Sequence, residues 1–315
     1  MIIVRDLDKL RGKALAATIG FFDGVHLGHR SLIEEMKVIA QRRGLSSAVI
    51  TFPEHPRSVL QSDYQPRLLN TFEEKLQHLE TTGVDYCVVL DFTIELSYLS
   101  AKEFITTVLA GRMRVKTLLV GYDHRFGHDR VDGFDRYVEY GLACGVDVVK
   151  ASPYKEGDTI VSSSEVRRLI QEGEIATANH LLTYPYSLSG HIVSGYQVGR
   201  MLGFPTANIE VDDPAKIIPG IGVYAVWADV EGKRYKGMLY IGDRPTVHTG
   251  TQISMEVHIL DFSGNIYNAP IRIAFIQYLR GDIKFASVDE LKAQLVKDRV
   301  MVDQLLPAPN NERTI

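Results

Sequence analysis

Cysteine is scarce in this chain: of 315 residues only Cys87 and Cys144 carry a thiol, and they lack C-x-x-C spacing. That excludes a disulfide framework and a cysteine-built zinc ribbon. The apolar runs around both thiols mark them as reduced core positions of a cytoplasmic protein. Also lacking is any apolar run near the roughly 20 residues that a membrane-spanning helix needs. The opening imitates a signal peptide, with Lys9, Arg11 and Lys13 ahead of an apolar run over 14–22. Asp6 and Asp8 spoil its basic region, however, and Asp23-Gly24 stands where a small-residue cleavage site belongs. Strong charge of one sign is missing too: the net charge of -4 argues against general nucleic-acid binding, which favours a concentrated basic surface. No Walker A pattern occurs, so a nucleotide kinase here is not of the P-loop type. Internal repeats, low-complexity segments and long charge runs are likewise absent.

What is present describes a globular protein, with 45% apolar and 23% charged residues and a length sufficient for two domains. From residue 1 to about 180, short apolar runs alternate with amphipathic stretches. Strands are expected over 14–22, 45–52, 86–90, 117–120 and 146–149, and helices over 30–43, 71–82, 100–110, 134–144 and 162–182, the last interrupted near Gly173. Strands apolar on both faces and separated by helices predict an α/β doubly wound parallel sheet, with ligands at the carboxyl ends of the strands. Tyr184-Pro185-Tyr186 is the expected domain boundary. Beyond it the pattern changes to strands and turns. One hairpin is expected over 223–230 and 235–241, and a second over 255–262 and 271–278, joined through Ser263-Gly264-Asn265. These predict a small antiparallel β-barrel followed by a C-terminal helix capped by Ser287 and Glu290. Its expected apolar stripe is Val288, Leu291, Leu295, Val302 and Leu305.

Four stretches carry candidate chemistry. The first, T-I-G-F-F-D-G-V-H-L-G-H over 18–29, reads as strand, tight turn and helix N-terminus. Such a corner points free N–H groups and the positive end of the helix dipole at an anion. His26 and His29 share one helix face and can approach one phosphate together. A zinc pair is the other sharp reading, with His124 and His128 as weak additional ligands. The second, V-S-S-S-E-V-R-R over 161–168, is a Ser-capped helix start with Arg167 one turn in, which also suits a phosphate clamp. In the third, Gly195, Gly199 and Gly203 precede F-P-T-A-N. Thr206 and Asn208 there offer two neutral oxygens on one side of a strand, a geometry suited to magnesium shared with a nucleotide. The fourth is Glu256, which shares a strand face with His258. It is a candidate general base if that face lines a pocket and an ordinary outward residue if it meets water. Gly220-x-Gly222 imitates a dinucleotide fingerprint, but strand-like sequence follows where a helix is required.

In sequence order, seven motifs resemble the bacterial bifunctional riboflavin kinase/FAD synthetase family over almost the whole chain. They are G-F-F-D-G-V-H-L-G-H (20–29), T-F-P-E-H-P (51–56), G-Y-D-H-R-F-G (121–127), V-S-S-S-E-V-R (161–167), G-R-M-L-G-F-P-T-A-N (199–208), I-G-D-R-P-T (241–246) and E-V-H-I-L-D-F (256–262). The resemblance implies a nucleotidyltransferase, Rossmann-like FMN adenylyltransferase domain over 1–184 and a riboflavin-kinase-type barrel over 185–315. ATP, riboflavin, FMN and FAD would be its substrates and products, and Mg2+ its cofactor. It also implies roles by position. Gly20, Phe22, Asp23, Gly24, His26, Gly28 and His29 would meet the ATP phosphates, with His26 and His29 catalytic and Ser162, Ser163, Ser164 and Arg167 as the second clamp. His55, Asp123 and Phe126 would lie on the flavin side. In the kinase, Gly199, Arg200, Gly203, Pro205 and Thr206 would hold the nucleotide, Thr206 and Asn208 the magnesium, and Glu256 would be the base. The chain departs from the family pattern at Pro53-Glu54 (commonly Asp-Pro), His124 (Phe), Tyr240 (Asn) and Gly281-Asp282 (a charged pair ending in Glu). The alternatives are an FMN adenylyltransferase with an inactive flavin-binding barrel, a non-enzymatic flavin-binding regulator, and a cytidylyltransferase, which leaves the second domain unexplained.

Overall fold

The computed structural model describes residues 1–10, 12–61, 63–122, 125–128, 132–194, 203–246 and 250–308. Backbone contacts divide the chain into two compact units, Met1–Ser163 and Ser164–Ile315.

In the first unit, strands β1 (Ile2–Val4), β2 (Leu15–Ile19), β3 (Ser46–Thr51), β4 (Tyr86–Val89), β5 (Val115–Val120) and β6 (Asp147–Lys150) form one sheet in the order β1-β4-β3-β2-β5-β6. All of its pairings are parallel. Both faces are covered, which explains why the strands show no polar alternation. Leu15, Ala17 and Ile19 point into one apolar cluster with Ile105, Leu109 and Tyr137. Ala16, Val49 and Leu119 point into the other with Ile33, Met36 and Ala40. Those last three residues are the buried stripe of α1 (Leu27–Arg43), which ends at Gly44 in the left-handed conformation (φ 64°). The doubly wound sheet is therefore as expected, and its order reverses between β2 and β5. That switch point opens a crevice at the carboxyl ends of both strands.

Three local readings of the first unit need correction. β1 pairs with the edge of β4 although three residues are too few to register as a periodic run. A short helix, α2 (Pro56–Leu60), follows His55, ahead of α3 (Phe72–Glu80) and α4 (Ile94–Ser97). The helix expected over 100–110 is regular only in α5 (Ala101–Glu103) and continues as a π-helical turn, Phe104–Arg112. The hydroxyls of Thr106 and Thr107 donate to Lys102 O and Glu103 O at 2.9 and 2.6 Å. They thereby compete for carbonyls that the α-helical ladder would use. After α6 (Phe134–Cys144) and β6, a two-stranded ribbon of β7 (Lys155–Glu156) and β8 (Thr159–Ile160) leads to α7 (Ser163–Gln171) and α8 (Ile175–Leu182).

Besides α8 and all but the first residue of α7, the second unit holds a closed barrel of β9 (Ser187–Val193), β10 (Ala207–Val211), β11 (Gly222–Val230), β12 (Lys233–Thr246), β13 (Gly250–Ile259) and β14 (Pro270–Arg280), in the order β10-β13-β12-β11-β14-β9. β11 and β12 form the first expected hairpin, turning at Glu231 and Gly232 with φ of 51° and 73°. The second expected hairpin does not form. β13 pairs with β10 and β12, whereas β14 pairs with β11 and β9. The connection between them is too long to impose pairing, and barrel closure assigns each strand other neighbours.

A C-terminal helix, Val288–Leu305, follows. Its buried stripe is also not the expected one: Val288 and Leu305 are 63% and 38% exposed, while Val302 and Leu306 are buried and Leu295 packs beside them. Helical spacing from Leu295 to Val302 passes through position 298, which is an aspartate. Asp298 is fully buried because Arg280 grips it through Nε (3.0 Å) and Nη2 (2.9 Å), and Gln294 donates to it at 2.8 Å. A buried carboxylate is tolerated when it is paired and hydrogen-bonded in this way.

Candidate active sites

At the switch point, β2 ends in a corner with unusual backbone geometry. Phe22, Gly24 and Val25 all have positive φ, at 55°, 85° and 39°. Phe22 and Val25 pay a steric penalty there, so surrounding contacts must hold them. Asp23 supplies those contacts. It is buried, and its carboxylate accepts from the N–H of Leu69 (3.0 Å) and of Asn70 (3.1 Å). Its charge is thus taken up in holding the turn, whose residues 22–26 are all buried.

His26 is the N-cap of α1, with extended φ and ψ of -67° and 173°. His29 stacks on it, with ring centroids 3.7 Å apart and planes at 21°, and Phe22 meets His29 edge-on at 5.0 Å. Ser163, the first residue of α7, reaches the same place. Its Oγ donates to Asp23 O at 2.9 Å and lies 3.3 Å from His26 Nε2. The single hydroxyl hydrogen is committed to the carbonyl, so His26 Nε2 is the donor in the second contact. Gly28 makes this approach possible, since a Cβ there would sit 2.9 Å from Val161 O. The expected first and second phosphate clamps therefore meet through Asp23, His26, Gly28 and Ser163. Gly20, whose N–H bonds Ile50 O at 3.1 Å, leads into the corner. Ser162 is half-buried, Ser164 is exposed, and Arg167 is half-buried one turn into α7.

On the flavin side, His55 is the N-cap of α2, with its Nδ1 accepting from Arg57 N at 3.2 Å. Its ring packs against Phe21 at 4.9 Å and Tyr64 at 5.2 Å. Phe126 is stacked on Tyr137 at 4.2 Å, and the Tyr137 hydroxyl contacts the Phe126 backbone. One face of the Phe126 ring is thus already used to anchor its loop. Asp123 lies outside the described residues.

In the barrel, Glu256 shares the outer wall with His258, because Met238, opposite His258, packs beneath the C-terminal helix. The two divide the readings the sequence left open. His258 is buried, its Nδ1–H donates to Pro205 O at 2.8 Å, and burial lowers its pKa, so it is a neutral brace for the Pro205-Thr206 segment. Glu256 is half-buried, accepts from Thr206 Oγ1 at 3.3 Å, and pairs across the sheet with Asn208. Thr206 also borders a cleft of ≈ 650 Å³ walled by Val193, Ile259, Phe262 and Tyr267. Gly203 turns at φ 80° before this segment. Gly199 and Arg200 lie outside the described residues.

Sequence reasoning missed the 262–267 wall of that cleft, which lies in the long loop read as a hairpin turn. Two of the departures from the family pattern meet beside Glu256: Tyr240 is in register with it, and the Tyr240 hydroxyl contacts Asp282 at 3.2 Å. Burial and the neighbouring carboxylates of Asp282 and Glu256 raise the Tyr240 pKa. Among the described residues, no three His, Cys, Asp or Glu side chains form a metal-binding group. Of the further ligands named for the zinc reading of His26 and His29, His124 lies outside the described residues. No described helix is long and apolar enough to cross a membrane.

Residues 9–165 match the family model for FAD synthetase, and residues 182–306 match that for riboflavin kinase. Curated relatives described as bifunctional riboflavin kinase/FMN adenylyltransferase span nearly the whole chain. The Escherichia coli K12 protein is 36% identical over 94% of both chains. The Listeria monocytogenes protein is 39% identical over 89% of this chain and 88% of its own. The Pseudomonas fluorescens protein is 35% identical over 99% of this chain and 100% of its own. A solved structure titled a macrolide-efflux protein, from Streptococcus pneumoniae, shares the fold at a TM-score of 0.83 and 29% identity, covering 96% of this chain and 98% of that one. Its title names an activity that neither family model describes.

Proposed function

The chain belongs to the bifunctional riboflavin kinase/FMN adenylyltransferase family, and from that premise we propose how its residues divide the two reactions. The enzyme phosphorylates riboflavin with ATP to give FMN, then adenylylates FMN with a second ATP to give FAD and pyrophosphate. Residues 1–184 carry the second reaction and residues 185–315 the first, although the chain divides into its compact units earlier, after Ser163. The free thiols of Cys87 and Cys144 support a reducing, cytoplasmic setting.

In adenylyl transfer an FMN phosphate oxygen attacks the α-phosphorus of ATP, and the bond to the pyrophosphate oxygen breaks. Both partners are phosphates, so no protein nucleophile is needed. The barrier comes from like-charge repulsion and from charge growing on pyrophosphate. A helix N-terminus supplies only ~0.3–1 kcal/mol in exposed settings, so His26, His29, Ser162, Ser163 and Arg167 carry the larger share. The observation supporting this reading most directly is the convergence of Ser163 on Asp23 and His26.

The kinase step differs because its nucleophile is a hydroxyl. Glu256 takes the proton as the ribityl oxygen attacks the γ-phosphorus and the bond from that phosphorus to the bridging oxygen breaks, releasing ADP; a positioned carboxylate contributes a factor of about 100 to 10,000. The cleft beside Thr206, lined by both apolar and polar side chains, suits the adenine of ATP, with the phosphates directed toward Thr206 and Asn208. The oxygens of these two residues beside a carboxylate fit a magnesium ion that arrives with the nucleotide rather than one held in an all-protein cage. When bound, magnesium supplies neutralisation of phosphate charge. Incubation with riboflavin, ATP and Mg2+ should yield FMN first and FAD second. Formation of neither product would refute the assignment.

A further inference from the structure

α3 carries a lysine where its surroundings suit an apolar residue. Lys75 is 3% exposed, and its Nζ donates to Phe52 O at 2.7 Å and Phe21 O at 3.1 Å. The same ammonium lies 4.1 Å from the centroid of the Phe21 ring. Phe21 begins the phosphate corner after β2, and Phe52 begins the loop that carries His55 after β3. A single cation thus ties the end of β2, which borders the crevice, to the end of its neighbour β3.

We propose that Lys75 is a positioning residue for adenylyl transfer, fixing the carboxyl ends of β2 and β3 so that the Phe22–Val25 turn and the His55 loop keep their spacing. This rests on the reading of that corner as the adenylyl-transfer site. A buried ammonium is a poor choice for stability alone, because desolvation penalises its charge. Burial lowers the Lys75 pKa from 10.5 to about 8, against the opposing pull of Asp23 in the corner and Cys87 on β4. Arg5, after β1, is the further charge acting on Cys87. Costly buried groups that persist at ligand-facing strand ends point to a task beyond packing. The task here is geometric. Phe21 O retains a second donor, Thr51 Oγ1 at 3.2 Å, whereas Lys75 is what joins it to Phe52 O.

The test uses the full-length enzyme and measures FAD formation from FMN and ATP for wild type, Lys75→Met, Lys75→Arg and His29→Ala. Riboflavin phosphorylation by the same chain serves as the internal control. Lys75→Met should lower kcat for FAD formation about 10- to 100-fold, as a misplaced site does. KM for ATP should stay within about threefold, and kinase activity should be unchanged. Lys75→Arg, which keeps a cation with N–H donors, should recover part of the kcat lost in Lys75→Met. For Lys75→Met, a kcat within about threefold of wild type, an effect on KM alone, or equal loss of both activities overturns the inference. Should Lys75→Met fail to fold, Lys75→Gln, which cannot bridge both carbonyls as a cation, takes its place, and a kcat for FAD formation within about threefold of wild type overturns it. If His29→Ala retains FAD formation, the reading of the corner itself fails and the inference with it. If His29→Ala loses activity and Lys75→Met does not, only the role of Lys75 fails.

Discussion

Replacing Glu256 with Gln removes a base while keeping a shape. The carboxylate accepts a 3.3 Å bond from Thr206 Oγ1, and the amide oxygen of Gln can accept the same bond, so Thr206 need not move. Glu256 is only half-buried, and no salt bridge among the described residues is broken by the change. What is lost is proton acceptance, about 100- to 10,000-fold in rate. At 1.36 kcal/mol per factor of ten, that is roughly 3–5 kcal/mol of transition-state stabilisation. Glu256→Gln should therefore show that loss in kcat for riboflavin phosphorylation, with KM for riboflavin within about threefold. Supplying FMN directly should restore FAD formation at the wild-type rate. Chromatographic separation of riboflavin, FMN and FAD over time, started from either flavin, reads both steps in one preparation. A kinase rate within a few-fold of wild type would refute the role of Glu256. Equal loss of both activities would refute the division of labour.

Gly28→Ala places a methyl 2.9 Å from Val161 O, so α1 and the segment ahead of Ser163 must separate. FAD formation should drop about 10- to 100-fold while riboflavin phosphorylation holds, as steady-state rates of each step will show. A pH effect on stability follows from two buried groups. Lys75 titrates at about 8 folded and 10.5 free, so the unfolded chain binds more protons between these values and stability rises with pH there, by about 3 kcal/mol in total. Burial raises Cys87 from 9.0 to about 11, so the folded chain binds more protons over that window and stability falls. Urea unfolding should accordingly show a gain from pH 8 to 9 that flattens above 9, and Lys75→Met should abolish the gain. A gain that survives in Lys75→Met would count against the buried ammonium as its source.

Much of the molecule is legible as linear pattern. Strands β2 to β6 are short apolar runs, α1 ends at a glycine, and the Glu231-Gly232 turn is a local hairpin signal, so neighbouring residues suffice to find them. His26, His29, Thr206, Asn208 and Glu256 are likewise found as chemistry-bearing types at strand ends or on strand faces. The failures share a cause. The C-terminal helix stripe was misassigned because Asp298 counts as polar until Arg280, from β14, is placed against it. The pairing of β13 and β14 was misread because a turn signal in a long loop says nothing about which strands close a barrel.

The sequence by itself determined the kind of fold, the order of its parts and the chemistry they carry, because periodicity and turn residues act over a few positions. Tertiary structure alone decided which of these distant parts meet. It brought Ser163 to Asp23 and His26 across more than a hundred residues. It also turned the Asp23 carboxylate inward and buried Lys75 between two strand-end carbonyls. Such contacts depend on sheet order and on the packing of helices over it, and no local pattern encodes either.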